Sequence, residues 1–253
     1  LTVRLDADAT VAEAIPRSPV KWAAGRAMLE MGIRRPAGGA LDLTGEGRLE
    51  RVSVDLGLPF LITEASGEFS LRGSRVVLEP IRGRAGGGQF SLGGYVDVEE
   101  GLGLSWEATE VNSGFLEWIE DQVSGRGEIR GPFDALEISG DIAIVNAIYD
   151  RDLELTDLLP VFRRELGPAP PEPGEKPIAL DLRIRAPDSI YVDNNIARAE
   201  FAADLRIGGS DLDPRIKGEV ELLDGEVTIF DRRFEITLGR VGFAGGAKVN
   251  PTL

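Results

Sequence analysis

Apolar and polar residues alternate with a period of two along most of this chain, and that alternation restricts its fold more than any other feature. At 52–62 the apolar residues Val52, Val54, Leu56, Leu58, Phe60 and Ile62 are interleaved with Arg51, Ser53, Asp55, Gly57 and Pro59. Such a pattern gives a strand one apolar face and one wet face. It returns at Phe69-Leu71, Phe90-Leu92, Leu102-Leu104-Trp106-Ala108, Ile142-Ile144 and Ile178-Leu180-Leu182-Ile184. The longest run is Ala197-Ala199-Phe201-Ala203-Leu205-Ile207, followed by Ile216-Gly218-Val220-Leu222, Val227-Ile229, Phe234-Ile236-Leu238 and Val241-Phe243. Turn residues separate the runs: Gly73-Ser74, Gly86-Gly87-Gly88, Gly93-Gly94, Gly208-Gly209-Ser210 and Asp224-Gly225. The prediction is an all-β chain, a long, curled, mostly antiparallel meander with few short helices.

Two helices are predicted. One covers 19–31, opened by Ser18 as N-cap before Pro19. A shorter one covers Ser113 to Ile119. Residues 167–177 hold five prolines and cannot join a sheet interior. They read as a surface loop or a domain boundary; the alternation resumes unchanged beyond them, which favours the loop. An internal repeat sets Gly131 to Ile142 against Gly209 to Val220, with glycines at Gly131/Gly140 and Gly209/Gly218. Each copy runs into an apolar strand and then an Asp-Arg pair, Asp150-Arg151 or Asp231-Arg232. Stacked copies with one apolar face bury a continuous stripe.

Composition removes most chemistry. There is no His and no Cys, which excludes a Ser-His-Asp triad, a cysteine nucleophile, disulfides and the usual zinc sites. The net charge of −15 argues against nucleic acid and against an anionic membrane surface. No run of 18 apolar residues exists, and no signal peptide is recognisable. The start at Leu1, with a strand already under way, suggests a piece of something longer. The pairs Asp6/Asp8, Asp150/Asp152 and Asp211/Asp213 match no calcium-loop pattern and read as solvated surface. Trp 3 and Tyr 3 are too few and scattered for a sugar-binding platform. The glycine-rich stretches at 83–88 and 245–248 lack nucleotide-binding spacing. Neither an enzyme, nor a cofactor, nor a metal is expected.

The remaining signal is the apolar face. With few helices to cover it, the sheet must curl onto itself, either around a dry core or around a groove. Pattern alone favours the dry core; a groove of Val, Leu, Ile and Phe would hold acyl chains and little else.

Segment 178–253 resembles the C-terminal region of the TamB family, a branch of the AsmA-like proteins. The resemblance rests on the run from Leu180 to Pro187 followed by Ile190-Tyr191-Val192, then Ala199 to Gly209. Pro214 to Val220, Gly225 to Phe230, Phe234-Glu235-Ile236, Val241-Gly242-Phe243 and Asn250-Pro251 complete it. Segment 67–111 looks AsmA-like more weakly, and the first 40 or so residues match no known pattern. The resemblance implies a taco-like open groove with an apolar interior. It also implies an inner-membrane anchor helix outside this chain, a periplasmic location in a diderm bacterium, and phospholipid transfer to the outer membrane. An outer-membrane barrel of the TamA type is the implied protein partner. Three features depart from the family pattern: the missing anchor helix, the lack of the family's usual continuation beyond Asn250-Pro251, and the proline-rich insert at 167–177.

The resulting organisation is an AsmA-like β block at 1–166, the proline-rich loop at 167–177 and the TamB-like region at 178–253, in one continuous sheet or two. The residues expected to contact lipid are Val52, Val54, Leu56, Phe69, Leu71, Phe90, Leu92, Leu104, Trp106, Ile142 and Ile144. The second half supplies Leu182, Ile184, Phe201, Leu205, Ile207, Val220, Leu222, Ile229, Phe234, Ile236 and Leu238. The alternatives are a scaffold for assembling outer-membrane or autotransporter proteins by strand addition, and a dry structural β-solenoid.

Overall fold

The computed structural model describes residues 2–8, 20–34, 42–114, 118–152, 176–229, 232–246 and 251–252. Every regular element among them is a strand. In chain order these are β1 (Thr2–Asp8), β2 (Trp22–Arg34), β3 (Asp42–Asp55), β4 (Ile62–Arg72) and β5 (Arg75–Ala85). Then come β6 (Gly88–Asp97), β7 (Gly101–Val111), β8 (Glu120–Gly131), β9 (Glu137–Tyr149) and β10 (Ala179–Asp193). The last are β11 (Ala197–Gly209), β12 (Pro214–Ile229), β13 (Arg232–Glu235), β14 (Arg240–Ala244) and β15 (Pro251–Thr252). They form one long, mostly antiparallel sheet in which β1 to β12 neighbour one another in sequence order, and the sheet is not closed into a barrel. Contacts divide the chain into two compact units: Leu1–Ser113 with Arg126–Leu136, and Gly114–Gly125 with Glu137–Leu253.

In the first unit the pairings from β1 to β7 are antiparallel, and the register gathers the apolar residues into rows. One row reads Leu29, Gly47, Phe69, Leu78, Gly94 and Leu104 across β2 to β7. The next reads Val3, Met31, Gly45, Leu71, Val76, Val96 and Leu102. Register shifts interrupt four successive pairings, β2/β3, β3/β4, β4/β5 and β5/β6. Gly25, Arg51 and Glu64 there have positive φ, and Pro80 lies in the β5 irregularity. These stacked bulges draw a crease across the sheet, since each bends its strand and raises the local twist.

The second unit contains a parallel pairing. β9 and β10 run parallel, with Ile142 opposite Ile184 and Gly140 opposite Leu182. Parallel neighbours need a crossover of a dozen or more residues, and the connection between Tyr149 and Ala179 contains the proline-rich stretch, which lies largely outside the described residues. The internal repeat has a structural counterpart. Gly131 and Gly209 both have positive φ, and a Cβ on either would press on the carbonyl oxygen four residues ahead, of Ala135 or Asp213. The Ala135 N–H donates to Pro132 O (2.9 Å), as the Asp213 N–H donates to Ser210 O (3.2 Å).

Several expectations are corrected. No helix exists among the described residues, and 22–34 is the strand β2. Its Ala, Met, Leu and Glu residues favour helix, but Ala27, Leu29 and Met31 pair along both neighbours and keep to one face. Met28 and Ala24 on the opposite face disguise the period. The expected helix at 113–119 lies partly outside the described residues; Trp118 and Ile119 belong to a turn and a bend. The run 52–62 is not a single strand, because the chain turns between Asp55 and Ile62. Gly57 sits at φ 74 there, and its N–H donates to Asp55 Oδ1 (2.7 Å). Gly93-Gly94 lies inside β6 and Asp224-Gly225 inside β12, where an extra residue, Leu223, is bulged rather than turned.

Candidate functional site: the apolar face

Each unit has one charged and one apolar face. On the charged face, opposite charges meet directly across strands: Arg4 with Glu30 (2.9 Å), Arg48 with Glu68 (2.5 Å), Arg75 with Asp97 (3.1 Å) and Arg240 with Glu221 (3.0 Å). Arg183 grips Asp204 diagonally at 2.8 Å. Exposed pairs of this kind add little stability each, but they commit this face to water. A concavity of about 1070 Å³ in the first unit is lined by the charged Arg4, Asp6, Glu30 and Arg48 together with Leu29 and Phe69.

Three carboxylates on this face sit below the ordinary range. Asp97 is held down chiefly by the Glu99 N–H, with Ser74, the Glu100 N–H and Arg75 adding and partial burial opposing. Asp6 is lowered mainly by its hydrogen bond to Arg26, and Asp204 by its bond to Arg183. All three have structural partners, and no group of acidic residues suited to a metal ion occurs among the described residues.

The apolar face is unusual in what it buries. Among the described residues the buried hydrophobic ones are Ala23, Val52, Ala65, Ile81, Ala85, Val111, Ala147, Ala186, Ala199 and Ala203. No large side chain among the described residues is fully buried. A core closed by a second layer buries its Leu and Phe side chains best. Here the small residues are buried beneath their neighbours, while Phe69, Leu71, Leu104, Leu182, Ile184, Phe201 and Leu205 remain half-buried.

The register brings many of the expected residues together. Phe69 and Leu104 share the first row and Leu71 lies in the second. Leu92 and Trp106 are direct partners. Ile142, Ile184 and Leu205 align with Gly218, Leu182 with Ile207, and Phe201 with Leu222. Val220 stands opposite Ala203. Half-buried Ile144 lies between the paired stretches of β9, and its carbonyl accepts the Ser189 hydroxyl (2.7 Å).

Others stand apart. Val52 is buried, with Val54 and Phe90 packed against its cluster. Leu56 belongs to the β3–β4 connection, and Ile236 follows β13. Phe234, on the short β13, is 50% exposed, and Leu238, between β13 and β14, is 80% exposed. The Ile229 side chain lies outside the described residues. Leu29, Met31, Val76, Leu78, Val96 and Leu102 were missed by the sequence reading, although they fill the same rows as Phe69 and Leu71. The alternation at 27–33, misread as helix, was the available signal for two of them.

The model of one protein family, the TamB C-terminal domain, matches residues 79–253. No curated protein matches the chain, and no solved structure does.

Proposed function

The chain belongs to the TamB family, and on that premise we propose that it is a segment of a lipid-transfer bridge whose apolar face shields phospholipid acyl chains across the periplasm. The family is one of transport or assembly proteins of the bacterial envelope, linked to outer-membrane assembly and not known as enzymatic. No helix among the described residues is long and apolar enough to cross a membrane; in this proposal the anchor is supplied from elsewhere in the full-length protein.

One observation carries the reading. The Leu and Phe side chains aligned in rows are only half-buried, and alanines make up seven of the ten buried hydrophobic residues among those described. A face of that kind retains free energy for a ligand, about 0.8 kcal/mol for each methylene it takes out of water. Passage along it requires no catalytic group, only a stripe free of charge.

The second reading, a scaffold that adds substrate strands, is favoured by β13, which among the described residues pairs only β12 and carries the exposed Phe234. Mass spectrometry of organic extracts from chain purified without detergent separates the two. The bridge requires phospholipid in near-stoichiometric amount. Protein that stays folded and lipid-free after lipid is offered leaves the scaffold.

A further inference from the structure

Where the crease crosses β3, β4 and β5, the charged face of the first unit has a hollow of about 500 Å³. Its polar lining is Arg48, Glu50, Arg51, Ser66, Glu68 and Arg82. Three arginines against two glutamates make a local positive excess in a chain of net charge −15. That excess falls on two of the three. Arg48 is taken by Glu68 (2.5 Å), and Glu50 stands directly opposite Arg26, on which its charge acts. Arg51 and Arg82 are exposed, and neither guanidinium has an ion-pair or hydrogen-bond partner among the described residues. The strands nevertheless hold the two residues in fixed positions. The Arg51 N–H donates to Ser66 Oγ (3.0 Å), and the Ser66 hydroxyl donates to Glu64 O (3.3 Å). Ser66 is also the direct partner of Arg82 on β5. Arg51 and Arg82 therefore flank Ser66 on either side, two strand spacings or about 10 Å apart. Arg51 keeps a left-handed backbone at φ 47, which glycine would adopt without strain. Strain retained under a side chain that makes no contact for the fold is a mark of a binding site.

We propose that Arg51 and Arg82 together hold a phosphate monoester in this hollow, above Ser66. A guanidinium presents its N–H groups as a planar fork that matches two oxygens of an oxyanion. A carboxylate has only two oxygens, so one fork satisfies it. A phosphate monoester has three terminal oxygens, enough to engage both arginines, and about −1.5 to −2 charge at neutral pH. A diester leaves two terminal oxygens and a single charge, and it fits two forks less well. The glutamates of the hollow do not compete for the site, since each stands against an arginine of its own, Arg26 or Arg48. A soluble monoester and phosphatidic acid in a membrane offer the same group. The site lies on the face opposite the apolar rows and does not depend on the lipid-bridge reading.

The full 253-residue chain is titrated calorimetrically with glycerol 3-phosphate. In parallel it is co-sedimented with phosphatidylcholine vesicles containing phosphatidic acid or phosphatidylglycerol. Arg51→Gln and Arg82→Gln should each weaken binding about tenfold while leaving the urea midpoint unchanged. Arg51→Lys keeps the charge but loses the fork, and its affinity should fall between. Arg34→Gln removes the same charge from an exposed arginine at the far end of β2 and should bind as the parent does. Saturable binding of glycerol 3-phosphate that depends on Arg51 and Arg82 supports the site and assigns it to a free monoester. The same dependence seen only with phosphatidic acid vesicles supports it and assigns a monoester borne on a membrane. Phosphatidylglycerol vesicles bound as tightly as phosphatidic acid vesicles overturn the choice of a monoester. No saturable binding of either probe, or an equal loss in Arg34→Gln, overturns the site.

Discussion

The phenyl ring of Phe69 lies over Gly47, its direct partner on the neighbouring strand; a Cβ at Gly47 would meet the ring's Cε atoms at 2.6 and 2.7 Å. Two further pairs repeat the arrangement. Phe90 faces Gly83 across β5 and β6, and Tyr95 faces Gly103 across β6 and β7. Glycine weakens a strand by leaving no side chain to pack, and a ring laid across it restores that packing.

Gly47→Val should therefore displace the Phe69 ring and destabilise the chain by about 1–3 kcal/mol. The measurement is the urea midpoint, with the slope unchanged. The cost should shrink markedly in a Phe69→Ala background, because the clash disappears with the ring. Losses that simply add in the double variant would show that the two residues do not interact.

Arg51 and Glu64 hold left-handed backbone, at φ 47 and 57, within the crease. A side chain there costs roughly 1–2 kcal/mol, part of which glycine returns as chain entropy on unfolding. Arg51→Gly should raise stability by up to about 1 kcal/mol. Ser53→Gly, in extended β3, should lower it by about 0.5–1 kcal/mol. A loss at Arg51 equal to that at Ser53 would mean that the positive φ stores no strain.

What the sequence discloses follows from how locally each feature is encoded. The alternation at 197–207 specifies β11 and its apolar side without reference to any neighbour, and the structure keeps Phe201, Leu205 and Ile207 there. β2 is different. Its residues favour helix taken alone, and pairing along both edges overrides that preference. The crease was equally hidden, since Arg51 and Glu64 are ordinary residues whose left-handed geometry is imposed by four successive ladders. The parallel pairing of β9 with β10 has no local signature either, because a proline-rich connection between strands reads alike whether the chain reverses or crosses over.

Acid should weaken the charged face through specific carboxylates. Asp6, Asp97 and Asp204 all lie below the ordinary aspartate value of 3.8 in the folded chain. Their folded state therefore binds fewer protons than the unfolded state in the window below that value. The stabilisation is complete above 3.8 and is lost as pH falls through the lowered folded values. Asp97 accepts from the Glu99 N–H (3.0 Å) and Ser74 Oγ (3.0 Å), fixing the turn between β6 and β7. Asp97→Asn should lower the urea midpoint at neutral pH and flatten its decline below about pH 4. An unchanged acid profile in that variant would remove Asp97 from the account.

The row Ile184, Leu205, Gly218 provides the sharpest distinction between an open face and a dry core. Leu205 is half-buried, so an aspartate in its place can reach water if the face is uncovered. The cost is then the lost apolar burial, at most about 1.5–3 kcal/mol. Enclosed in a dry core, the same unpaired charge would cost on the order of 3–5 kcal/mol or more and would unfold a marginal domain. The bridge thus requires Leu205→Asp to remain folded by circular dichroism while co-purifying phospholipid falls about tenfold. Arg206→Glu, one residue along on the charged face, should retain its lipid. Unfolding of Leu205→Asp would place a second layer over this row; a folded variant that keeps its lipid would mean that acyl chains take another path.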